Sequence, residues 1–308
     1  MHAASLFVCY LMWMAEHRNL PKIPTLLHSC RHKKGILRSP MIKYTPFKQV
    51  QVRFSDTGKG RVLVLIHGFP ETLEIWEEFS VKLSRHFRVI AIDLPGHGAT
   101  PCVGYVHPME LMAQCVKAVM ESLGLRRFLM VGHSMGGYVA LAFAELFPDN
   151  LTGLCLFHSN SLADSAEKKA DRDRAIALVK KNPRHYVNEL IPTLFAPQNV
   201  QLYKEDIREL KHMAQGISRQ GIVNALEGMK ERPKRDWVLQ YARYPILFVA
   251  GRHDRVVPPD LILKQAKPLK QATVLLLENT GHMGFIEEKK LTQDALLKFA
   301  RRCFRNHA

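Results

Sequence analysis

A single serine, flanked by glycines where a strand-like run meets a helix-like run, is the feature that most constrains the fold. Residues 128–144 read FLMVGHSMGGYVALAFA. A parallel strand that turns abruptly into a helix holds the junction residue in a strained backbone conformation, with its side chain above the sheet. Small residues are needed two positions before and after it, and Gly132 and Gly136 occupy these positions around Ser134. We predict a nucleophile elbow at Ser134 rather than an ordinary serine helix cap.

Strand-like and helix-like segments alternate along most of the chain. The segment RVLVLIHGF contains a continuous run of β-branched residues and leucine, as in a strand that is buried on both faces of a parallel sheet. Similar runs occur in FRVIAIDLPGHG, LTGLCLFHS, YPILFVAG and ATVLLLEN, and segments with helical spacing separate several of them. FKQVQVRF, residues 47–54, is expected to form a further strand. The pattern favours an α/β fold with a mostly parallel central sheet flanked by helices on both faces.

Residues 159–242 interrupt this alternation. They contain helical stretches broken by prolines and glycines, and no convincing strand. The segment falls between the strands near 151–158 and 245–250, whose ends carry the candidate chemistry. We interpret it as a helical cap over a pocket, inserted into a core formed by residues 41–158 and 243–308. A larger helical connection without a pocket is the alternative.

The first forty residues differ in character from the rest. Their apolar stretch AASLFVCYLMWMA is shorter than the roughly 20 residues that a membrane helix needs, and no basic segment precedes it. The residues that follow are basic and irregular. We expect residues 1–40 to be an extension that is disordered or not native, and we expect no stable membrane insertion. Export or anchoring through this segment is the alternative.

Charge and cysteine content limit the classes of partner and compartment. The chain has 44 Lys and Arg against 28 Asp and Glu, a formal charge of +16. Nucleic-acid binding needs these charges clustered, whereas here they are spread along the chain without a recognisable motif. The six cysteines show neither a C-x-x-C pair nor zinc-site spacing. We predict no nucleic-acid partner and a reduced, cytoplasmic protein.

A serine hydroxyl needs a base, and the base needs an acid that fixes its tautomer. His282 lies in the loop after the last strand-like run, and Asp254 follows the run before it. The carboxyl ends of parallel strands meet at one edge of the sheet, so both side chains are expected near Ser134. The chain order Ser134, Asp254, His282 is the one expected of a particular fold. Glu278 is an alternative acid, although it lies close to the end of its strand.

Other residues near these motifs receive weaker assignments. His133 and His253 are expected to face away from Ser134, and His97 in DLPGHG is expected to be a structural turn residue. Apolar residues of the insertion are expected either to line a pocket or to pack within the cap. These are Leu190, Leu194, Phe195, Met213, Met229 and Trp237.

Attack on a carbonyl creates an oxyanion, which backbone N–H groups can stabilise. Met135 follows the nucleophile at the start of a helix, where its N–H is free and the helix dipole helps. The second donor is expected in the loop HGFP after the strand VLVLI. Phe69 is the candidate there, because Pro70 has no N–H.

The motifs HGFP, DLPGHG, GHSMGG, GRHD and GHM occur in this order between Lys43 and about Phe304. With them the chain resembles the capped serine hydrolases of the α/β-hydrolase superfamily, which includes esterases, lactonases, carbon–carbon bond hydrolases, perhydrolases and epoxide hydrolases. The resemblance implies the triad Ser134, Asp254 and His282 and the oxyanion donors Phe69 and Met135. It also implies no metal and no organic cofactor.

The residue at the elbow distinguishes this chain from one part of the superfamily. Epoxide hydrolases resemble the chain around HGFP but carry an aspartate at the elbow, where this chain has Ser134. We therefore expect a serine hydrolase that acts on a carboxylic ester or related small-molecule acyl substrate through an acyl-enzyme. A lyase, a carbon–carbon bond hydrolase, a perhydrolase or a ligand receptor on the same scaffold are the alternatives.

Overall fold

The computed structural model describes residues 41–305 of the 308-residue chain. The predictions made for residues 1–40 lie outside this range. Within residues 41–305, no helix combines the length and the apolar composition that crossing a membrane requires. The cysteines of the described part, which are Cys102, Cys115, Cys155 and Cys303, are free thiols.

An eight-stranded sheet forms the centre of the described part. Its strands are β1 (Met41–Phe47), β2 (Val50–Thr57), β3 (Val62–Ile66), β4 (Arg88–Ile92), β5 (Phe128–His133), β6 (Leu151–Phe157), β7 (Ile246–Gly251) and β8 (Ala272–Leu277). Their order across the sheet is β1-β2-β4-β3-β5-β6-β7-β8. Strands β3 to β8 pair in parallel, whereas β2 is antiparallel to both of its neighbours. The predicted mostly parallel α/β sheet is confirmed.

The prediction of one strand over residues 47–54 was wrong. The chain reverses between β1 and β2, and Phe47 pairs with Val50 across the turn. Lys48 adopts the left-handed conformation, with φ of 51°. Neither glycine nor proline marks this turn, and the alternation of apolar and polar residues in VQVRF gave no indication of where the strand begins.

Burial of the strands explains their continuous apolar sequences. Every residue of β3, β5, β6 and β7 is buried. Helices outside the insertion cover the two faces. They are α1 (Glu77–Leu83), α2 (Met109–Ser122), α3 (Met135–Leu146), α9 (Pro259–Ala266), α10 (Gly284–Glu287) and α11 (Lys289–Arg305). In α2 the buried positions recur at helical spacing, which is why this segment packs as an amphipathic helix.

Five helices lie between β6 and β7. They are α4 (Ala166–Lys181), α5 (Pro183–Thr193), α6 (Lys204–Gln215), α7 (Arg219–Glu231) and α8 (Asp236–Tyr241). Side-chain caps define three of their starts, because Ser165, Asn182 and Ser218 each accept a hydrogen bond from the first turn. The role of this insertion as a cap over a pocket stays a prediction.

The insertion is tied to the rest of the fold by polar contacts. The side-chain amide of Asn224, in α7, donates to the Gly104 carbonyl at 2.9 Å. The backbone carbonyl of Asn224 accepts from the backbone N–H of His107 at 3.1 Å. Arg235, before α8, forms ion pairs with Glu110 and Glu145 while its side chain is only 3% exposed. These contacts fix α7 and α8 against the loop after β4 and against α2 and α3.

Candidate active site

Ser134 lies at the turn between β5 and α3, where the sequence predicts it. Its φ of 49° and ψ of −113° are unusual for a residue with a side chain, so surrounding contacts must hold them. The Ser134 N–H donates to the Phe157 carbonyl at 2.9 Å, and its own carbonyl accepts from Ser159 Oγ at 2.8 Å. The end of β6 and the residues directly after it therefore hold both the N–H and the carbonyl group of Ser134.

The glycines around Ser134 are required by the close approach of strand and helix. A Cβ atom on Gly132 would lie 2.2 Å from the Gly136 carbonyl oxygen. A Cβ atom on Gly136 would lie 2.5 Å from the carbonyl oxygens of Ile66 and His67. Both contacts involve backbone atoms that cannot move aside, so only glycine fits at either position.

Three side chains from separate loops form one hydrogen-bonded series. His282 Nε2 lies 2.8 Å from Ser134 Oγ, and His282 Nδ1 lies 2.8 Å from Asp254 Oδ2. Asp254 follows β7 and His282 follows β8, so the parallel sheet brings both loops to the edge where β5 ends. The structure therefore brings together all three residues that the sequence singles out. Their catalytic roles are taken up as a proposal below.

The environment of Asp254 favours its charged form. Burial alone would raise the pKa of this carboxyl. The imidazoles of His282 and His158 act in the opposite direction and hold the Asp254 pKa well below its usual range. The other carboxylate oxygen, Oδ1, accepts from the N–H groups of Val256 and Val257 at 2.8 and 2.9 Å. An ionised carboxylate is therefore available to orient His282 at neutral pH.

The alternative acid is placed elsewhere. Glu278 is exposed and forms a bidentate pair with Arg252, with both N–O distances at 3.0 Å. His253, next to Asp254 in sequence, is exposed as well. Only Asp254 among these neighbours is turned toward His282.

The candidate oxyanion donors lie in the elements the sequence indicates. Met135 is the first residue of α3, and Phe69 lies in the loop after β3. Within residues 41–305, neither the Phe69 N–H nor the Met135 N–H donates a hydrogen bond to another protein group. The Gly68 N–H, in contrast, donates to Glu71 Oε2 at 2.6 Å and is already engaged. Stabilisation of an oxyanion by Phe69 and Met135 stays a prediction.

Sequence reasoning missed a buried ion pair beside the triad. His133 Nδ1 lies 2.9 Å from Glu71 Oε2, and His133 Nε2 lies 3.0 Å from the His282 carbonyl oxygen. Both ring nitrogens face oxygen atoms, an arrangement in which an imidazolium ring donates from both nitrogens to an ionised Glu71 and to the His282 carbonyl. Burial lowers the pKa of His133, but the Glu71 carboxylate outweighs it and the net shift is upward. As expected, His133 is turned away from the Ser134 hydroxyl.

Glu287 is a second buried carboxylate that the sequence did not reveal. Its Oε1 accepts from the N–H groups of Gly281 and Met283, at 2.9 and 3.3 Å, on either side of His282. Its Oε2 accepts from the Ala196 N–H at 2.9 Å and from the Asn199 amide at 2.7 Å. One carboxylate thus joins the loop that carries His282 to the segment between α5 and α6.

The apolar residues of the insertion have different environments. Leu194 is buried, and its carbonyl accepts from the His282 N–H at 2.6 Å. Trp237 is 46% exposed and lines a cavity of about 710 Å³ with Arg127, Pro148 and Tyr241, and no triad residue lines this cavity. The remaining candidates are Phe195 and Met229, which are buried, and Leu190 and Met213, which are partly buried. Trp237 therefore lines a cavity to which Ser134, Asp254 and His282 do not contribute.

Two aromatic residues lie near the candidate oxyanion residue Phe69. The Tyr186 ring of α5 has its centroid 6.5 Å from that of Phe69, and the His97 ring lies 6.3 Å from it edge-on. His97 is fully buried, and its Nδ1 donates to the Pro95 carbonyl at 3.2 Å, which fits the structural turn role expected for it. Tyr186 is a contact between insertion and oxyanion loop that sequence reasoning did not single out.

The triad region also contains atoms of the kind that bind metal ions. One nitrogen each of His158 and His282 and one oxygen of Asp254 lie within 4.8 Å of one another. Both nitrogens are directed at the same Asp254 oxygen, at 3.0 and 2.8 Å. These distances are those of N–H···O hydrogen bonds, so hydrogen bonding alone accounts for the arrangement.

Comparison with known proteins places this geometry among related chains. The profile of the alpha/beta hydrolase fold family matches residues 61–289. Among solved structures, a thermophilic esterase from Thermogutta terrifontis superposes with a TM-score of 0.80 and 30% sequence identity, covering 85% of this chain and 97% of that chain.

Curated relatives include proteins with different named activities. The 2-hydroxy-6-oxo-2,4-heptadienoate hydrolase of Pseudomonas putida is 26% identical over 258 residues, covering 78% of this chain and 89% of that protein. The dihydrolipoyllysine-residue acetyltransferase component of the acetoin cleaving system of Pseudomonas putida is 27% identical over 253 residues, covering 79% of this chain but only 64% of that protein. Because the family profile spans most of the chain and includes the strands that carry all three triad residues, the chain belongs to the α/β-hydrolase family.

Proposed function

We propose that this α/β-hydrolase is a serine hydrolase of carboxylic esters or related small-molecule acyl compounds. The observation that carries the proposal is the continuous series Ser134 Oγ, His282 Nε2, His282 Nδ1, Asp254 Oδ2, with both hydrogen bonds at 2.8 Å. A nucleophile in contact with a base that is itself oriented by a carboxylate is the arrangement that activates a serine hydroxyl.

In the acylation step, Ser134 Oγ attacks the acyl carbon and its proton passes to His282 Nε2. Asp254 accepts the hydrogen bond from Nδ1–H, which fixes the tautomer and stabilises the imidazolium that forms. The oxyanion develops next to the free N–H groups of Phe69 and Met135, each expected to contribute roughly 3 kcal/mol to the transition state. His282 then gives its proton to the leaving alcohol, and the C–O bond to the alcohol breaks.

In the deacylation step, water takes the place of the alcohol. His282 removes a proton from the water as it attacks the acyl-enzyme carbonyl. Collapse of the second tetrahedral intermediate returns that proton to Ser134 Oγ and releases the carboxylic acid. Apart from the substrate and this water, no group outside the chain is required for proton balance in either step.

A second candidate reaction is the hydrolysis of a carbon–carbon bond next to a carbonyl. It is favoured by a relative covering most of this chain, whose printed name is 2-hydroxy-6-oxo-2,4-heptadienoate hydrolase. The same triad would serve it, but the leaving group would be a carbanion rather than an alkoxide. Product analysis on a mixed set of esters, lactones and β-diketones separates the two reactions, as well as a lyase or a perhydrolase.

Hydrolysis of a p-nitrophenyl ester series from acetate to octanoate tests the proposal. Ser134→Ala is expected to abolish turnover while its thermal unfolding remains cooperative. Ser84→Ala is the matched control, because Ser84 directly follows α1 and its hydroxyl donates to the Val81 carbonyl. Retained turnover in Ser134→Ala would contradict the assignment. An inactive wild-type chain that binds these esters would instead favour a ligand receptor.

A further inference from the structure

A second histidine contacts the triad aspartate. His158 follows β6, its side chain is fully buried, and its φ of 50° is in the left-handed region. His158 Nδ1 lies 3.0 Å from Asp254 Oδ2, the same oxygen that contacts His282. The hydrolysis mechanism proposed above does not use this contact between His158 and Asp254.

The hydrogen bonds of His158 fix its tautomer. The backbone N–H of Gly284 donates to His158 Nε2 at 3.2 Å. A backbone N–H can only donate, so Nε2 must present a lone pair, and the ring proton must then reside on Nδ1. His158 therefore donates to Asp254 as a neutral imidazole. Consistently, burial lowers the pKa of His158 to about 4 despite the nearby carboxylate.

These contacts close a ring of hydrogen bonds around the base. Asp254 accepts from both imidazoles, His158 accepts from Gly284, and Gly284 lies two residues after His282 in the same loop. This closed series of hydrogen bonds holds the Asp254 carboxylate and the loop that carries His282 in one arrangement. The two imidazoles supply two hydrogen bonds to the Asp254 carboxylate, and the N–H groups of Val256 and Val257 supply two more.

We propose that His158 is a positioning residue which, through Asp254, sets the pH at which His282 becomes a competent base. The proposal rests on the proposed function of the triad. A second N–H on Asp254 Oδ2 draws negative charge away from His282, so the imidazolium form of His282 is stabilised less than it would be by an aspartate with one imidazole partner. Activity consequently extends to lower pH.

Other charged and titratable groups around His282 are unchanged by substitution at His158. The centroid of the His133 ring lies 5.1 Å from that of the His282 ring, and Glu71 Oε2 contacts Nδ1 of His133. Glu287 contacts only the backbone on either side of His282. The His158 ring also packs beside the His282 ring, with centroids 5.5 Å apart, but as a neutral imidazole it brings no net charge there. Asp254, which contacts both rings, is the charged group through which a change at His158 reaches the base.

Two variants separate the two hydrogen bonds of His158. In His158→Asn the amide nitrogen can occupy the place of Nδ1 and donate to Asp254, and asparagine tolerates the left-handed backbone. In His158→Gln the amide oxygen can occupy the place of Nε2 and accept from Gly284, while the donor at the Nδ1 position is lost. Thermal unfolding at each pH identifies the range in which both variants are folded.

The readouts are the acidic limb of kcat/KM for p-nitrophenyl acetate and the NMR titration midpoint of the His282 ring. We expect His158→Gln to move both upward by less than about one pH unit, because the lost hydrogen bond to Asp254 is present in both protonation states of His282 and only its difference between these states shifts the midpoint. His158→Asn is expected to remain near the wild-type value. If both variants keep the wild-type midpoint while losing equal thermal stability, His158 only packs, and the proposal is wrong.

A measurement on the wild-type chain keeps the test independent of these variants and of turnover. Nitrogen-detected NMR is expected to show His158 as the neutral tautomer protonated at Nδ1 between pH 5.5 and 8. A ring protonated at Nε2, or one that titrates within this range, would overturn the proposal. Failure of the proposed function would appear differently, as a wild-type chain without hydrolytic activity whose His158 tautomer is nevertheless as expected.

Discussion

Glu71 Oε2 accepts a hydrogen bond from the Gly68 N–H at 2.6 Å and lies 2.9 Å from His133 Nδ1. This carboxylate joins the loop that carries Phe69 to the residue directly before Ser134. Because the other nitrogen of His133 donates to the His282 carbonyl, three parts of the active site share one buried ion pair.

Removing one charge of this pair is expected to destabilise the protein. Glu71→Gln leaves a buried histidine without its counter-charge, and we expect the free energy of unfolding to fall by about 3–5 kcal/mol. Urea unfolding measures the change. Glu205→Gln is the control, since its partner Arg208 is exposed and such pairs contribute about 0–1 kcal/mol. A loss in Glu71→Gln no larger than that of the control would show that the ion pair is not formed.

The contribution of the pair should depend on pH. The pKa of His133 is raised in the folded protein above the roughly 6.5 of an unfolded chain, so folding favours its protonated form. This stabilisation is fully present below about pH 6.5 and is lost as pH rises through the folded value. The stability difference between wild type and Glu71→Gln is therefore expected to be larger at pH 6 than at pH 9. Unfolding curves at both pH values measure it, and a difference that grows with pH would contradict a buried imidazolium.

The choice between two carboxylates is testable by activity. Asp254→Asn removes the charge that orients His282, and we expect kcat to fall on the order of 10⁴-fold. Glu278→Gln breaks only an exposed pair with Arg252 and should leave kcat unchanged. Steady-state hydrolysis of p-nitrophenyl acetate compares the two. The assignment of the acid would be reversed if Glu278→Gln were the inactive variant.

The contacts of Glu287 predict that the loop carrying His282 and the insertion move together. In Glu287→Gln an NH₂ group replaces one carboxylate oxygen and must face two N–H donors. Two of the four hydrogen bonds are therefore lost, and we expect the free energy of unfolding to fall by about 1–3 kcal/mol. Hydrogen exchange is expected to accelerate together in the segments 281–284 and 194–199. Glu209→Gln, on the exposed face of α6, is the control. Faster exchange in only one of the two segments would show that Glu287 does not join them.

The residues whose place follows from local patterns could be predicted from the sequence. Glycine spacing and a buried run define the elbow at Ser134, and Asp254 and His282 each follow an apolar run that forms a parallel strand. The parallel sheet then fixes which strand ends meet. A turn without glycine or proline at Lys48 offered no such pattern.

The supporting residues could not be predicted, because their partners are distant in sequence. Glu71 and His133 are 62 positions apart, and His158 and Asp254 are 96 apart. No periodicity relates such positions, and only the packed loops decide which polar side chains meet. The available signal was weak: polar residues directly after buried strands, such as the histidine at 158, need buried partners.

Labelling with a fluorophosphonate probe, followed by peptide mass spectrometry, tests most directly whether His282 activates the Ser134 hydroxyl. We predict that one equivalent of probe is bound at Ser134 in the wild-type chain and that His282→Ala slows labelling by at least about 10³-fold. A folded wild-type protein that remains unlabelled at Ser134, or that is labelled equally fast without the imidazole, would contradict the account.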